Sequence, residues 1–197
     1  MTVVCAVRDG NVILMSADTA ATSEDGQQTA RSDSKMFRLY VPRMPNPTRD
    51  VSEMLVGFSG EYYRAQLIGT SFQPPKCPED MDAWTYLVSV FMPSLRKFLA
   101  KYFTVACGDN ILGDAILLIA FRWRMFVVYG DGQVEENTED FVAIGENKVA
   151  MGALWAGSRH GLRRGMVSWE VLDSAMEASE YLTSVVRKPF QTEVLFS

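Results

Sequence analysis

The chain has 197 residues, 48% hydrophobic and 22% charged. That is long enough for a sizeable core and short for two, so one domain over residues 1–197 is expected. The net charge of −5, with no basic run, argues against nucleic acid as a partner. Three cysteines (Cys5, Cys77, Cys107) are too few for a disulfide framework and fit a reducing cytoplasm. With His160 the only histidine and no Cys-x-x-C, a metal centre has little support, and a serine–histidine triad would need that one residue. Arg8 and Asp9 interrupt the N-terminus before a signal peptide could form, and no apolar run approaches a membrane span. Asn46-Pro47-Thr48 carries proline where a glycosylation acceptor forbids it.

In chain order, Thr2 to Asp18 reads as a β-hairpin: Val3, Val4, Val7, Val12 and Ile13 are strand formers around an Asp9-Gly10 turn. On that turn Arg8 faces Asn11, Thr2 faces Ala17, and Asp18 sits one residue beyond. Lys35 stands at the start of an alternating segment, Ser34 to Tyr40, that reads as a strand. Glu61 to Ile68 is expected as a helix, with Pro74-Pro75 opening a loop. Trp84, Leu87, Val88, Phe91, Leu95, Phe98, Leu99 and Tyr102 keep helical spacing for a core or subunit contact, with Pro93 kinking or splitting the run. Ala115 to Phe121 and Met125 to Tyr129 are strands about an Arg122-Trp123-Arg124 turn, and Asp131-Gly132 is a further hairpin signal. Phe141 to Gly145 leads into a helix over Asn147–Ala156, whose Ala150, Gly152, Ala153 and Ala156 suit packing on a sheet and whose stop is Gly157. His160, near Arg159 and Arg163-Arg164, is expected on an exposed loop. Ser168 caps the last helix, and Phe190 to Phe196 returns as a strand. Gly57-Phe58-Ser59-Gly60 lacks the Lys-Ser ending of a phosphate-binding loop.

The start of the chain also carries chemistry. Removing Met1 ahead of the small Thr2 would leave a hydroxyl and a free α-amine on one residue. An α-amine has a pKa near 8, so part of it is unprotonated near neutrality and can take the hydroxyl's proton. This is the N-terminal-threonine form of a nucleophile–base pair. It needs a cation to hold the amine's pKa down and an anion to hold the cation; Lys35 and Asp18 are the candidates.

Thr2, Asp18, Lys35 and the run Met54-Leu55-Val56-Gly57-Phe58-Ser59-Gly60-Glu61 resemble the proteasome β-subunit and bacterial HslV group of N-terminal-nucleophile (Ntn) hydrolases. The resemblance is good over about the first third of the chain and weaker around Phe141-Val142-Ala143-Ile144-Gly145. It implies an α+β fold, a four-layer αββα sandwich with two antiparallel sheets between helical layers. It implies a threonine-type peptidase with Thr2 as nucleophile, Asp18 and Lys35 as the acid–lysine pair and the Gly57 N–H as oxyanion donor. Thr22 and Ser59 would contact the substrate backbone, with Ala21, Leu55 and Tyr63 near its side-chain pocket. No cofactor or metal is implied. The implied partners are a peptide or unfolded-protein substrate, further copies of the chain in a homo-oligomeric ring, and a separate ATP-dependent unfoldase.

Three positions depart from the family. Glu146 stands where a serine usually supports the terminal amine; it could replace that serine as an acceptor, or keep more of the amine protonated. Thr183 and Val186 align where the last long helix often has an aspartate and, three residues on, a serine. These departures motivate a second reading, a non-catalytic proteasome-like shell or scaffold. A third, an Ntn amidase acting on a small amide, lacks a further polar cluster to recognise its substrate.

Overall fold

The structure is a computed structural model that describes residues 2–22, 28–30, 33–43, 51–103, 110–161 and 165–196. Met1, Asn46-Pro47-Thr48, Cys107, Arg163-Arg164 and the side chain of Thr22 lie outside the described part. Among the described residues, eleven strands and five α-helices follow in the order β1 (Val3–Asp9), β2 (Val12–Asp18), β3 (Ala20–Thr22), β4 (Gln28–Ala30), β5 (Met36–Pro42), β6 (Val51–Ser59), α1 (Tyr62–Ser71), α2 (Ala83–Tyr86), α3 (Met92–Leu99), β7 (Ile116–Phe121), β8 (Arg124–Val128), β9 (Val134–Asn137), β10 (Phe141–Gly145), α4 (Asn147–Ala156), α5 (Ser168–Leu182) and β11 (Phe190–Phe196).

They build two antiparallel sheets, ordered β10-β1-β2-β11 and β5-β6-β7-β8-β9, and a short β3-β4 ribbon. Strand pleat sorts the core into three layers. Along β1, Val4 and Ala6 turn to the space between the sheets, where they meet Met15, Met36, Leu118 and Ile144. Val3, Cys5 and Val7 turn the other way, onto Leu154 of α4 and Val171, Leu172 and Met176 of α5. The far face of the second sheet, with Val56, Phe58 and Ile119, packs on α1, α2 and α3. The result is the four-layer αββα sandwich. Because β1 is covered on both faces, it reads as a continuous apolar run.

Several local expectations need correction. The first hairpin pairs Asp9 with Val12 and Val4 with Ala17. Its register is two residues away from the expected one, because the turn is Gly10-Asn11 with Gly10 at φ +53°. Glycine with positive φ at the first central position suits the twist of a two-residue hairpin. A two-residue shift keeps every side chain on its face, and it moves Asp18 level with Val3. The helical run is divided just ahead of Pro93, which lies in the first turn of α3: a π-helical turn over Leu87–Phe91, in which the Met92 N–H reaches the Leu87 carbonyl, joins α2 to α3. The wider turn accommodates the donor that proline lacks. It also shifts the buried stripe, so Ala83 and Tyr86 are buried while Trp84, Val88 and Tyr102 are exposed.

The α-helix α4 ends at Ala156 with Gly157 as its C-cap, as expected, but Gly157 keeps helical φ and ψ and the chain runs on into a π turn over Gly157–Gly161; a Cβ on Gly157 would lie 2.6 Å from Val171 Cγ1. The glycine is there for the close approach of α5. Gly152 and Ala156 face outward rather than onto the sheet. His160 is exposed, but on that helical turn, edge-on to Trp155. Ser168 lies inside α5 and donates to Asp9 Oδ2 at 2.8 Å; the Glu170 carboxylate receives the Val167 N–H instead. Thr183 and Val186 lie beyond the last helix, which ends at Leu182.

Candidate active site

Thr2 enters β1 from the end of the sandwich where β2 finishes and β5 begins. The corrected register carries Asp18 to the same end, and its carboxylate is held by backbone as well as by charge. Oδ1 accepts the Val3 N–H at 3.0 Å, and Oδ2 accepts the Ala20 N–H at 3.1 Å. These bonds fix the carboxylate before any cation arrives. Lys35, one residue ahead of β5, reaches across from the second sheet. Its ammonium lies 3.1 Å from Asp18 Oδ1 and also donates to the Thr2 hydroxyl and the Ala20 carbonyl. Three N–H donors thus meet three acceptors on three segments. Lys35 and Asp18 are each about 1% exposed and Thr2 is 6% exposed, so an ion pair is buried here with its remaining hydrogen-bonding groups engaged.

The opposite side of Thr2 is held by β10. The Glu146 N–H donates to the Thr2 carbonyl at 2.8 Å. Gly145 pairs with Val3 at φ +83°, and a Cβ there would fall 2.0 Å from the Thr2 carbonyl oxygen and 2.6 Å from Ser59 Oγ. Only glycine fits that contact. Ser59 is therefore brought close to Thr2, buried at the end of β6.

The remaining expected residues divide. Gly57 lies inside β6, paired with Met36 and Leu118, and a Cβ on it would meet Val4 Cγ1 at 2.6 Å; packing alone requires glycine there. Leu55 has no exposed surface and is enclosed between the sheets, so it packs the core rather than walling an open pocket. Ala21 is half-buried on β3 opposite Thr29. Tyr63 is exposed on α1 and stacks edge-on with Phe103. Thr183 donates back to the Ser179 carbonyl, and Val186 is buried in the apolar layer under α5; neither puts a polar side chain on Thr2.

Sequence reasoning missed the backbone part of the site: the Ala20 carbonyl and the Val3 and Ala20 N–H groups. No residue type signals a main-chain group; only the register does. It also missed Thr19, buried beside Asp18, whose hydroxyl donates to the Pro189 carbonyl at 3.0 Å and fastens the lead into β11. Cys5 is buried, and its thiol is pushed far above its ordinary range, first by burial and then by the charge of Asp18. It is an inert core residue and no rival nucleophile.

Comparison with solved structures gives the same architecture. The protein BPH of Thiobacillus denitrificans in complex with epoxomicin matches with a TM-score of 0.73 and 19% identity, over 99% of this chain and 98% of that one. The HslV of Trypanosoma brucei matches with a TM-score of 0.67 and 17% identity over the whole of both chains. Anbu, the ancestral β-subunit, from Yersinia bercovieri matches with a TM-score of 0.64 and 12% identity, over 99% of this chain and 82% of that one. The chain has the proteasome-like Ntn-hydrolase fold. No protein-family model matches it, and no curated protein does.

Among the described residues no helix is long and apolar enough to cross a membrane, and no cluster of three or more His, Cys, Asp or Glu could hold a metal ion.

Proposed function

We propose that this protein is a threonine-type peptidase that acts after removal of Met1. The observation that carries the proposal is the buried chain from the Asp18 carboxylate through the Lys35 ammonium to the Thr2 hydroxyl. A cation on the hydroxyl oxygen favours its ionised form, and the freed α-amine on the same residue takes the proton. The oxygen then adds to a peptide carbonyl. The oxyanion calls for an N–H donor, worth about 3 kcal/mol; Gly57, expected in that role, turns its N–H towards Leu118 of β7, because the Phe58 N–H takes the Lys35 carbonyl on the β5 side. Collapse of the intermediate breaks the C–N bond, the ammonium returns its proton to the leaving nitrogen, and an ester remains on Thr2. Water, deprotonated by the same amine, hydrolyses the ester and regenerates the hydroxyl.

Peptides or unfolded proteins are the proposed substrates, and a homo-oligomeric ring fed by an ATP-dependent unfoldase is the proposed setting. The T. denitrificans protein is seen with epoxomicin and the T. brucei protein is an HslV; both likenesses favour this reading. The apolar character of Val186 and the local bonding of Thr183 favour the second reading, a non-catalytic shell. Cleavage of fluorogenic peptides separates the two. The Met1-free protein should cleave and Met1-free Thr2→Ala should not. Equal rates would leave the shell.

A further inference from the structure

Main-chain parity decides which side of β1 the nitrogen of Thr2 faces. An extended residue presents its N–H and C=O to the same neighbouring strand, and successive residues alternate. At the far end of β1 the Arg8 N–H donates to the Asp140 carbonyl at 2.7 Å, and at the near end the Thr2 carbonyl accepts the Glu146 N–H at 2.8 Å. Even-numbered residues of β1 therefore face the β10 side, while the Val3 N–H faces Asp18 on the β2 side. The Thr2 nitrogen accordingly faces residue 146. Glu146 follows directly on β10 as the residue that leads into α4, at φ −76° and ψ 67°. Glu146 is half-buried, and among the described residues its carboxylate makes no hydrogen bond or ion pair.

We infer that Glu146 is the counter-ion of the freed Thr2 α-amine, a positioning residue that keeps the amine charged to higher pH and so sets the acidic limb of activity. Its catalytic consequence rests on the threonine-peptidase reading; the contact itself does not. Among the described residues the other charged groups at this end are held by partners or lie in solvent; Asp33, ahead of β5, accepts from the Gln66 side chain at 2.9 Å. Lys35, reaching in from ahead of β5, opposes a charge on the amine, and Asp18 of β2 is committed to Lys35 and two N–H groups. Cys5 of β1 stays a neutral thiol. Beyond β6, Glu61 is paired with Arg64 at 3.0 Å, and Lys148 at the start of α4 is exposed. Ser59 and Thr19 do not titrate in this range. Among the described residues Glu146 is left as the carboxylate beside the amine.

The test is the pH midpoint for acetylation of the residue 2 α-amine, read by mass spectrometry of the N-terminal peptide, in Met1-free wild type, Glu146→Gln and Glu146→Asp. Removing a negative charge lowers an amine's pKa, so Glu146→Gln should move the midpoint down by about one pH unit, while Glu146→Asp should keep the wild-type value. In protein that cleaves peptides, the acidic limb of kcat/KM should move with it. A Glu146→Gln midpoint that is unchanged or raised, or a Glu146→Asp midpoint displaced as far as that of Glu146→Gln, overturns the inference. The acetylation midpoint needs no turnover. A shift in protein that cleaves nothing would therefore remove the peptidase reading and leave the counter-ion in place.

Discussion

Lys35 and Thr2 touch, yet their loss should have different costs. Lys35→Met leaves the Asp18 carboxylate buried without its cation, a change that typically destabilises by about 3–5 kcal/mol. Thr2→Ala removes one hydroxyl and should cost only about 1 kcal/mol. Urea unfolding of the two variants should show that gap while both lose peptide cleavage; similar midpoints would mean that the ion pair carries little of the stability. Gly145→Ala should be worse than its size suggests. Its φ is left-handed and its new methyl would meet the Thr2 carbonyl, so both thermal stability and cleavage should fall; an unchanged Tm would show that the β10 turn is not the clamp described. The residue types of Thr2, Asp18 and Lys35 were legible in the sequence because their chemistry is specific to side chains. The fixing of Asp18 by two N–H groups was not, since it depends on a register that the Asp9-Gly10 signal placed two residues away.

At the scale of elements, strand positions were the most legible part. Phe190–Phe196 forms a strand with the expected bounds, because a short apolar run after a polar turn has few other uses in a sandwich; Phe141–Gly145, expected as a strand-to-helix turn, is the strand β10. Both π turns were illegible: their i→i+5 bonds follow from fitting Pro93, and in the second case from packing beside Val171, neither of which changes the hydrophobic period in an obvious way. Two junctions offer tests. Arg122 and Trp123 make the β7–β8 turn with φ of 47° and 68°, a conformation that favours glycine or asparagine. Trp123→Gly should therefore stabilise by about 1 kcal/mol in urea unfolding, and a loss would show that the indole's packing outweighs the strain. Asp82 caps α2, and its pKa is lowered by the Thr85 N–H first and Arg124 next. A lowered pKa adds stability that is present above the unfolded value, near 4, and lost as pH falls through the folded one. Asp82→Asn should lower stability at pH 7 and narrow its difference from wild type below pH 4; a gap constant with pH would contradict that assignment.

Across the whole molecule, the sandwich brings Thr2, Asp18 and Lys35 together from two sheets, so the site exists only when both are stacked. The outer helical layers expose Trp84 and Val88 on one side and Trp155, Trp169, Tyr181 and Leu182 on the other. Apolar residues of this size on outer faces suit the proposed assembly, and native mass spectrometry should find multiples of the 22.0 kDa chain; a monomer at micromolar concentration would remove the ring. The central claim concerns one atom, the Thr2 hydroxyl oxygen beside its own freed amine. The most direct measurement is peptide mapping of the Met1-free protein after incubation with an electrophilic peptide probe. The expected result is a single adduct on Thr2 that is lost in Lys35→Met; an unmodified Thr2, or labelling that persists without Lys35, would contradict the account.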